Sequence, residues 1–143
     1  MSKEVSKSLF AQANRSLVGG VNSPVRAYSA VGGSPLFIKS GQGARITSED
    51  DQELIDYVLS YGPLILGHAR QEIIQVIAQQ AALGTTFGAP TQLETRCAEK
   101  IKQFYSYIDK VRFVSSGTEA TMSAIRLARG ATKRSIIIKF RGC

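Results

Sequence analysis

Cysteine, histidine and acidic side chains are all scarce in this chain. Its 143 residues hold two cysteines, one histidine, and 11 Asp/Glu against 18 Lys/Arg. Cys97 and Cys143 have neither the spacing of metal ligands nor the number of a disulfide framework, so reduced thiols are expected. His68 stands alone just before a helical pattern, where a single imidazole is ordinarily a structural hydrogen-bonder. Asp50, Asp51 and Asp56 cluster around a turn, but three acids there are expected to be solvated, and no metal site is assigned to them. No apolar run approaches the ~18 residues of a membrane span. The opening residues Met1-Ser2-Lys3-Glu4-Val5-Ser6-Lys7 lack the apolar core of a signal peptide. The expectation is a cytoplasmic protein with no membrane partner.

The shortage of acid leaves a net charge of +7, and the excess is concentrated at one end. From Val111 onward Arg112, Arg126, Arg129, Lys133, Arg134, Lys139 and Arg141 face a single acid, Glu119. A nucleic-acid surface, attraction of a phosphate ligand, and acidic partners in a part of the protein outside this sequence would each account for it. The basic residues are not interleaved with aromatics and no nucleic-acid motif is present. Nucleic acid is therefore not the expected partner, and the third explanation is favoured.

Apolar residues recur at helical spacing over 3–17, as Leu9, Phe10, Ala13 and Leu17, and stop at Gly19-Gly20. Proline at 24 forces the residues before it to be extended. Leu36–Lys39, Ala44–Thr47 and Leu54–Val58 read as three strands of a small antiparallel meander. A helix is expected over 71–83 with Gly84 as its stop. Thr91-Gln92-Leu93-Glu94 is a capping-box pattern opening the next helix. Then come a strand at 111–114, a small-residue turn, a helix over 119–129 closed by Gly130, and a strand at 135–140. That order is a βαβ unit, which implies a parallel sheet. Ile136-Ile137-Ile138 reads as a strand covered on both faces, yet the residues after it are too few to cover it. The chain is expected to be the beginning of a larger α/β protein.

The turn Ser115-Ser116-Gly117-Thr118 carries the strongest chemical signal. It opens a helix, whose first N–H groups lack intrahelical acceptors and whose dipole adds positive charge. Gly117 allows close backbone approach, and Ser116 and Thr118 bring hydroxyls to the same place. A phosphate group suits it. An ordinary helix cap without a ligand is the plain alternative on local chemistry.

Ser116-Gly117-Thr118-Glu119-Ala120, continuing through Met122-Ser123-Ala124-Ile125-Arg126-Leu127-Ala128-Arg129, resembles the phosphate-binding segment of fold type I pyridoxal-phosphate enzymes. Among these it is most similar to the class III aminotransferases, and within them the resemblance is to the glutamate-1-semialdehyde 2,1-aminomutases. Gly19-Gly20-Val21-Asn22-Ser23-Pro24-Val25-Arg26-Ala27 is similar to their substrate-binding segment. Tyr61-Gly62-Pro63, Gly67-His68-Ala69 and Phe87-Gly88-Ala89-Pro90-Thr91 agree. The fold this implies is α/β: an N-terminal helix plus antiparallel meander over 1–60, then the incomplete start of the cofactor domain over 61–143.

The resemblance implies pyridoxal 5'-phosphate, cycling through its pyridoxamine form, held at Ser116, Gly117 and Thr118. It implies glutamate-1-semialdehyde as the small-molecule substrate, 5-aminolevulinate as product, tetrapyrrole synthesis as the context, and a homodimer. Ser23, Val25, Arg26 and Tyr61 are the implied substrate contacts, with Arg26 suited to a two-bond grip on a carboxylate. Tyr61 stands where these enzymes typically have tryptophan, and it serves equally well as a core residue. None of the lysines aligns with the family's Schiff-base lysine, so no catalytic residue is assigned and the chain alone is expected to be inactive. Other departures are Ser115 for asparagine, Gln52 for a turn glycine where positive φ is favoured, Arg70-Gln71 for a His-Pro pair, and Arg141 for an acid. The alternatives are another aminotransferase of the same family, or a basic remnant that binds phosphate or nucleic acid without catalysis.

Overall fold

The computed structural model describes residues 3–142. Its backbone forms two compact units, one ending at Thr85 and the other starting at Thr86.

In the first unit, β1 (Ile38–Gln42), β2 (Arg45–Ser48) and β3 (Glu53–Ile55) make an antiparallel meander in the order β1-β2-β3. Gln42 pairs directly with Arg45, so only Gly43 and Ala44 reverse the chain, and Gly43 supplies a left-handed residue at φ 56°. The β2–β3 turn departs from expectation. Asp51, not Gln52, takes positive φ, at 58°. Gln52 is already drawn back to β2: its N–H donates to the Ser48 hydroxyl at 3.1 Å, and its carbonyl accepts the Ser48 N–H at 3.0 Å. The reversal therefore falls on the aspartate, a residue that tolerates the left-handed region better than most.

Helix α1 (Glu4–Ala13) is shorter than its apolar spacing predicts. At its end the Asn14 side-chain amide donates to the Phe10 carbonyl at 2.8 Å. Left-handed Gly19 and Gly20 follow, and a Cβ at Gly20 would lie 2.6 Å from the Phe10 ring. At its start α1 has no side-chain cap of its own. Asp50, from the β2–β3 turn, provides one: its carboxylate accepts the Val5 N–H at 2.9 Å, the Ser6 N–H at 3.1 Å and the Ser6 hydroxyl. Ser6 is fully buried, and its oxygen also accepts the Phe37 N–H at 3.1 Å. A helix start and a hairpin turn are thus fastened through one serine.

The expectation that the three aspartates are solvated holds for Asp51, which is exposed, and is corrected for Asp50 and Asp56. Asp50 caps α1, Asp51 pairs with Lys39, and Asp56 pairs with His68 at 2.7 Å. The Ser6 hydroxyl, followed by the Val5 and Ser6 amides, holds the Asp50 carboxyl below the usual carboxylate range. No group of three or more His, Cys, Asp or Glu among the described residues is placed to hold a metal ion.

Helix α2 (Gln71–Ala82) ends as expected, with Gly84 at φ 111° just beyond it. In the second unit α3 (Gln92–Phe104) opens on the full capping box of Thr91 and Glu94. Helix α4 (Gly117–Thr132) runs through Gly130 and stops instead at left-handed Lys133, φ 59°. A mid-helix glycine costs only about 1 kcal/mol relative to alanine, too little to end a helix by itself. The segments 111–114 and 135–140 carry no strand ladder among the described residues. A strand is completed only by neighbours on its hydrogen-bonding edges, and none pairs with these. Ile136 and Ile138 are accordingly 84% and 93% exposed. No Ala, Val, Leu, Ile, Met, Phe or Tyr among the described residues is buried. No helix among them is long and apolar enough to cross a membrane.

Candidate functional site

Ser116 is the residue before the first turn of α4, with extended backbone at φ −154°, ψ 159°. Its hydroxyl accepts the Glu119 N–H at 3.2 Å, while the Glu119 carboxylate accepts the Ser115 N–H at 2.6 Å. Serine and glutamate thus satisfy two of the donors that a helix start leaves over. The amides of Gly117 and Thr118 have no acceptor among the described residues. Apart from its chain neighbours and the backbone of its own helix, no atom of the described residues lies within 4 Å of where a Gly117 Cβ would be. What remains is an open mouth of two amides and the Thr118 hydroxyl at the positive end of a 16-residue helix. Deeper in the same turn Thr121 donates to the Gly117 and Thr118 carbonyls, each at 3.0 Å. Thr121 is therefore held on the helix rather than offered to a ligand.

Ser23, Val25 and Arg26 meet on one short turn in the first unit. Ser23 is extended at φ −149°, ψ 125°, as a residue before proline should be. Pro24–Ala27 then forms a single 3-10 turn, closed by the Arg26 N–H donating to the Ser23 carbonyl at 2.9 Å. Tyr28 ends it in the left-handed region at φ 60°. Arg26 is exposed. Among the described residues no carboxylate or carbonyl pairs with its guanidinium, which leaves the whole planar fork available for an anion.

Tyr61 lies on a separate turn of the same unit. Leu59, Ser60 and Tyr61 are all left-handed, at φ 51°, 53° and 62°, and the tyrosine is 67% exposed rather than packed as core. No hydrogen bond or ion pair joins this turn to Pro24–Ala27. The phosphate-type residues Ser116, Gly117 and Thr118 are contiguous on α4, in the second unit.

The role of Glu119 and the partner of His68 escaped the reading from sequence, although His68 is the structural hydrogen-bonder expected of it. Glu119 completes the cap at the mouth of α4, and the Ser116-x-x-Glu119 spacing is itself the signal that reveals it. Asp56 and His68 join across the base of the loop that carries Tyr61. Their pairing has no local sequence pattern, because the two residues are brought together by the hairpin.

Comparison with known proteins places the chain in a family and a fold. The model of the family Aminotransferase class-III matches residues 28–143. The glutamate-1-semialdehyde 2,1-aminomutase of Sulfurihydrogenibium sp. (strain YO3AOP1) is 59% identical over 143 residues, covering 100% of this chain and 33% of that protein. A solved transaminase with pyridoxal phosphate bound superposes with a TM-score of 0.86 at 41% identity, over 94% of this chain and 31% of that one. A glutamate-1-semialdehyde aminomutase from Pseudomonas aeruginosa PAO1 gives 0.82 at 26% identity, over 92% and 28%. The chain spans about a third of the length of the curated relatives it matches. Its fold is that portion of the α/β fold type I transaminases, and the chain belongs to the aminotransferase class-III family.

Proposed function

We propose that this chain supplies the phosphate contact and the substrate-carboxylate contact of a glutamate-1-semialdehyde 2,1-aminomutase. That enzyme converts glutamate-1-semialdehyde to 5-aminolevulinate for tetrapyrrole synthesis, in the cytoplasm and as a homodimer. In this reading residues 1–60 are its N-terminal part and 61–143 begin the part that holds pyridoxal phosphate. The single observation that carries the proposal is the open mouth of α4. Two amides without acceptors, a threonine hydroxyl and a glycine with free space around it suit a phosphomonoester. A carboxylate of the chain's own, Glu119, is turned back onto Ser115, so it organises the loop as it caps it.

When bound, pyridoxal phosphate provides the electron sink for bond changes at the carbons that exchange the amino group. The chain's own residues bind the cofactor and the substrate. Ser116, Gly117 and Thr118 fix the phosphate and so set where the cofactor lies. Arg26 grips the distal carboxylate of the substrate with two parallel hydrogen bonds, and the Pro24 ring stiffens the turn that presents it. Tyr61 offers an aromatic face with a hydroxyl at its edge. Binding the cofactor's phosphate and orienting the substrate's carboxylate are the chain's contributions to rate.

A transaminase reading has one observation in its favour, the higher identity to the solved transaminase than to the solved aminomutase. The Asn22–Arg26 segment and the aminomutase relatives favour the isomerase. A chimera decides between them, with this chain replacing the matching third of a full-length aminomutase. It is expected to form 5-aminolevulinate from glutamate-1-semialdehyde without an added amino donor. A chimera that transfers amino groups between separate substrates and makes no 5-aminolevulinate overturns the proposal.

A further inference from the structure

We propose that Asp56 and His68 are a positioning pair that locks the left-handed turn Leu59–Tyr61 and thereby fixes the direction of the Tyr61 side chain. Tyr61's contact with substrate rests on the function proposed above; the locking of the turn does not.

Three consecutive left-handed residues, none of them glycine, form a rare backbone. Each places its Cβ too close to the following carbonyl, and such conformations persist only where the surroundings over-determine them. Burial does not supply that constraint here. Ser60 and Tyr61 are exposed, and so are Tyr57 and Val58 on the approach. Hydrogen bonds do. One Asp56 oxygen, Oδ1, accepts the Val58 N–H at 2.8 Å and the Leu59 N–H at 3.1 Å. The other, Oδ2, meets His68 Nε2 at 2.7 Å. The carboxylate cannot swing toward one partner without releasing the other. Its side chain is only 8% exposed, and the His68 bond is the main reason its carboxyl stays below the usual range.

His68 in turn is fixed from two directions. Its backbone pairs with Gly43, N–H to carbonyl at 2.8 Å one way and 2.9 Å the other. Its ring lies against Gly41, where an added Cβ would come within 2.7 Å of the imidazole Cγ. Asp56 is anchored to the same hairpin end, its N–H donating to the Ala44 carbonyl at 2.9 Å. Residues 57–67 are therefore a loop whose two ends are held by one β-turn and bridged by one side-chain pair. This is the geometry of an Ω-loop, with the strained turn next to the bridge. The lone histidine reads best as the far post of this bridge. A turn held through a hydrogen-bond chain, rather than through packing, keeps Tyr61 exposed and directed at once.

The test uses the full-length chimera described above carrying 3-fluorotyrosine, with the Tyr61 signal assigned by Tyr61→Phe. His68→Ala is expected to speed amide exchange at Val58 and Leu59 by about tenfold and to broaden or shift the Tyr61 fluorine signal. Exchange at Ile46 in the β1–β2 ladder should stay unchanged. His68→Gln, which keeps a donor nitrogen, should remain near the parent. Adding Ser60→Gly to His68→Ala should recover part of the loss, since glycine takes the left-handed region freely. Parental exchange and fluorine signals in His68→Ala overturn the proposal. Equal losses in the ladder and the turn also overturn it, because they make His68 a general structural residue. If the turn loosens as expected while Tyr61→Phe leaves the chimera's KM unchanged, only the substrate role of Tyr61 falls.

Discussion

Ser6→Ala should loosen the first unit more than any other single-atom deletion on α1. The hydroxyl is fully buried and serves two partners, donating to Asp50 and accepting the Phe37 N–H at 3.1 Å. Alanine fits the space but leaves the Phe37 amide without its acceptor, at a cost of about 1–3 kcal/mol. Loss of the hydroxyl's own bond adds to that, so a total of about 2 kcal/mol is expected, or roughly thirtyfold in an opening equilibrium. Native-state hydrogen exchange reads this at the Phe37 amide, without requiring the whole chain to unfold in one step. Ser8→Ala is the control: Ser8 is exposed on the same helix, and its loss should change stability by less than about 0.5 kcal/mol. Exchange at Phe37 less than threefold faster in Ser6→Ala, or as fast in Ser8→Ala, refutes the reasoning.

The Asp50 cap makes α1 sensitive to acid. Its folded carboxyl titrates below the ordinary value of about 3.9. The cap therefore contributes fully above that value and is lost as pH falls through the depressed one. Amide exchange of Val5 and Ser6 should rise over that acid range, and Asp50→Asn should remove the step. Arg26→Lys in the chimera should raise KM for glutamate-1-semialdehyde about tenfold and leave cofactor affinity alone, because an ammonium cannot make the paired grip. An unchanged KM with weakened cofactor binding contradicts that assignment. The 143-residue chain alone should self-associate through the exposed Ile136–Ile138 run, where unpaired backbone and apolar side chains lie together. Sedimentation as a monomer with a cooperative melt would refute it.

Helices and hairpins were legible in the sequence wherever the signal was local. The Thr91–Glu94 box and the Gly84 stop are chemistry within a few residues, and both stand where the pattern put them. Gly130 misled because a single glycine costs too little to end α4, whereas left-handed Lys133, with no sequence signature, does end it. The meander was readable from alternating apolar residues and Gly43. The left-handed residue at Asp51 was not, since it depends on Gln52 being recaptured by Ser48. Strands at 111–114 and 135–140 were read from apolar runs alone, and a run becomes a strand only beside its neighbours. The α4 mouth was visible as Ser116-Gly117-Thr118 because an anion site at a helix start is made of consecutive residues. The partners of the aspartates were invisible for the opposite reason. Asp50 reaches α1 across 44 residues and Asp56 reaches His68 across 12, so only folding brings them together.

The central claim is that the start of α4 holds the cofactor's phosphate, and Thr118→Val in the chimera tests it most directly. Valine keeps the shape of threonine and removes one donor to a charged group, worth about 1.5–3 kcal/mol. The dissociation constant for pyridoxal 5'-phosphate should rise at least tenfold, that for pyridoxal without its phosphate should not change, and KM for glutamate-1-semialdehyde should stay the same. Equal affinity of parent and Thr118→Val for pyridoxal 5'-phosphate would contradict the account.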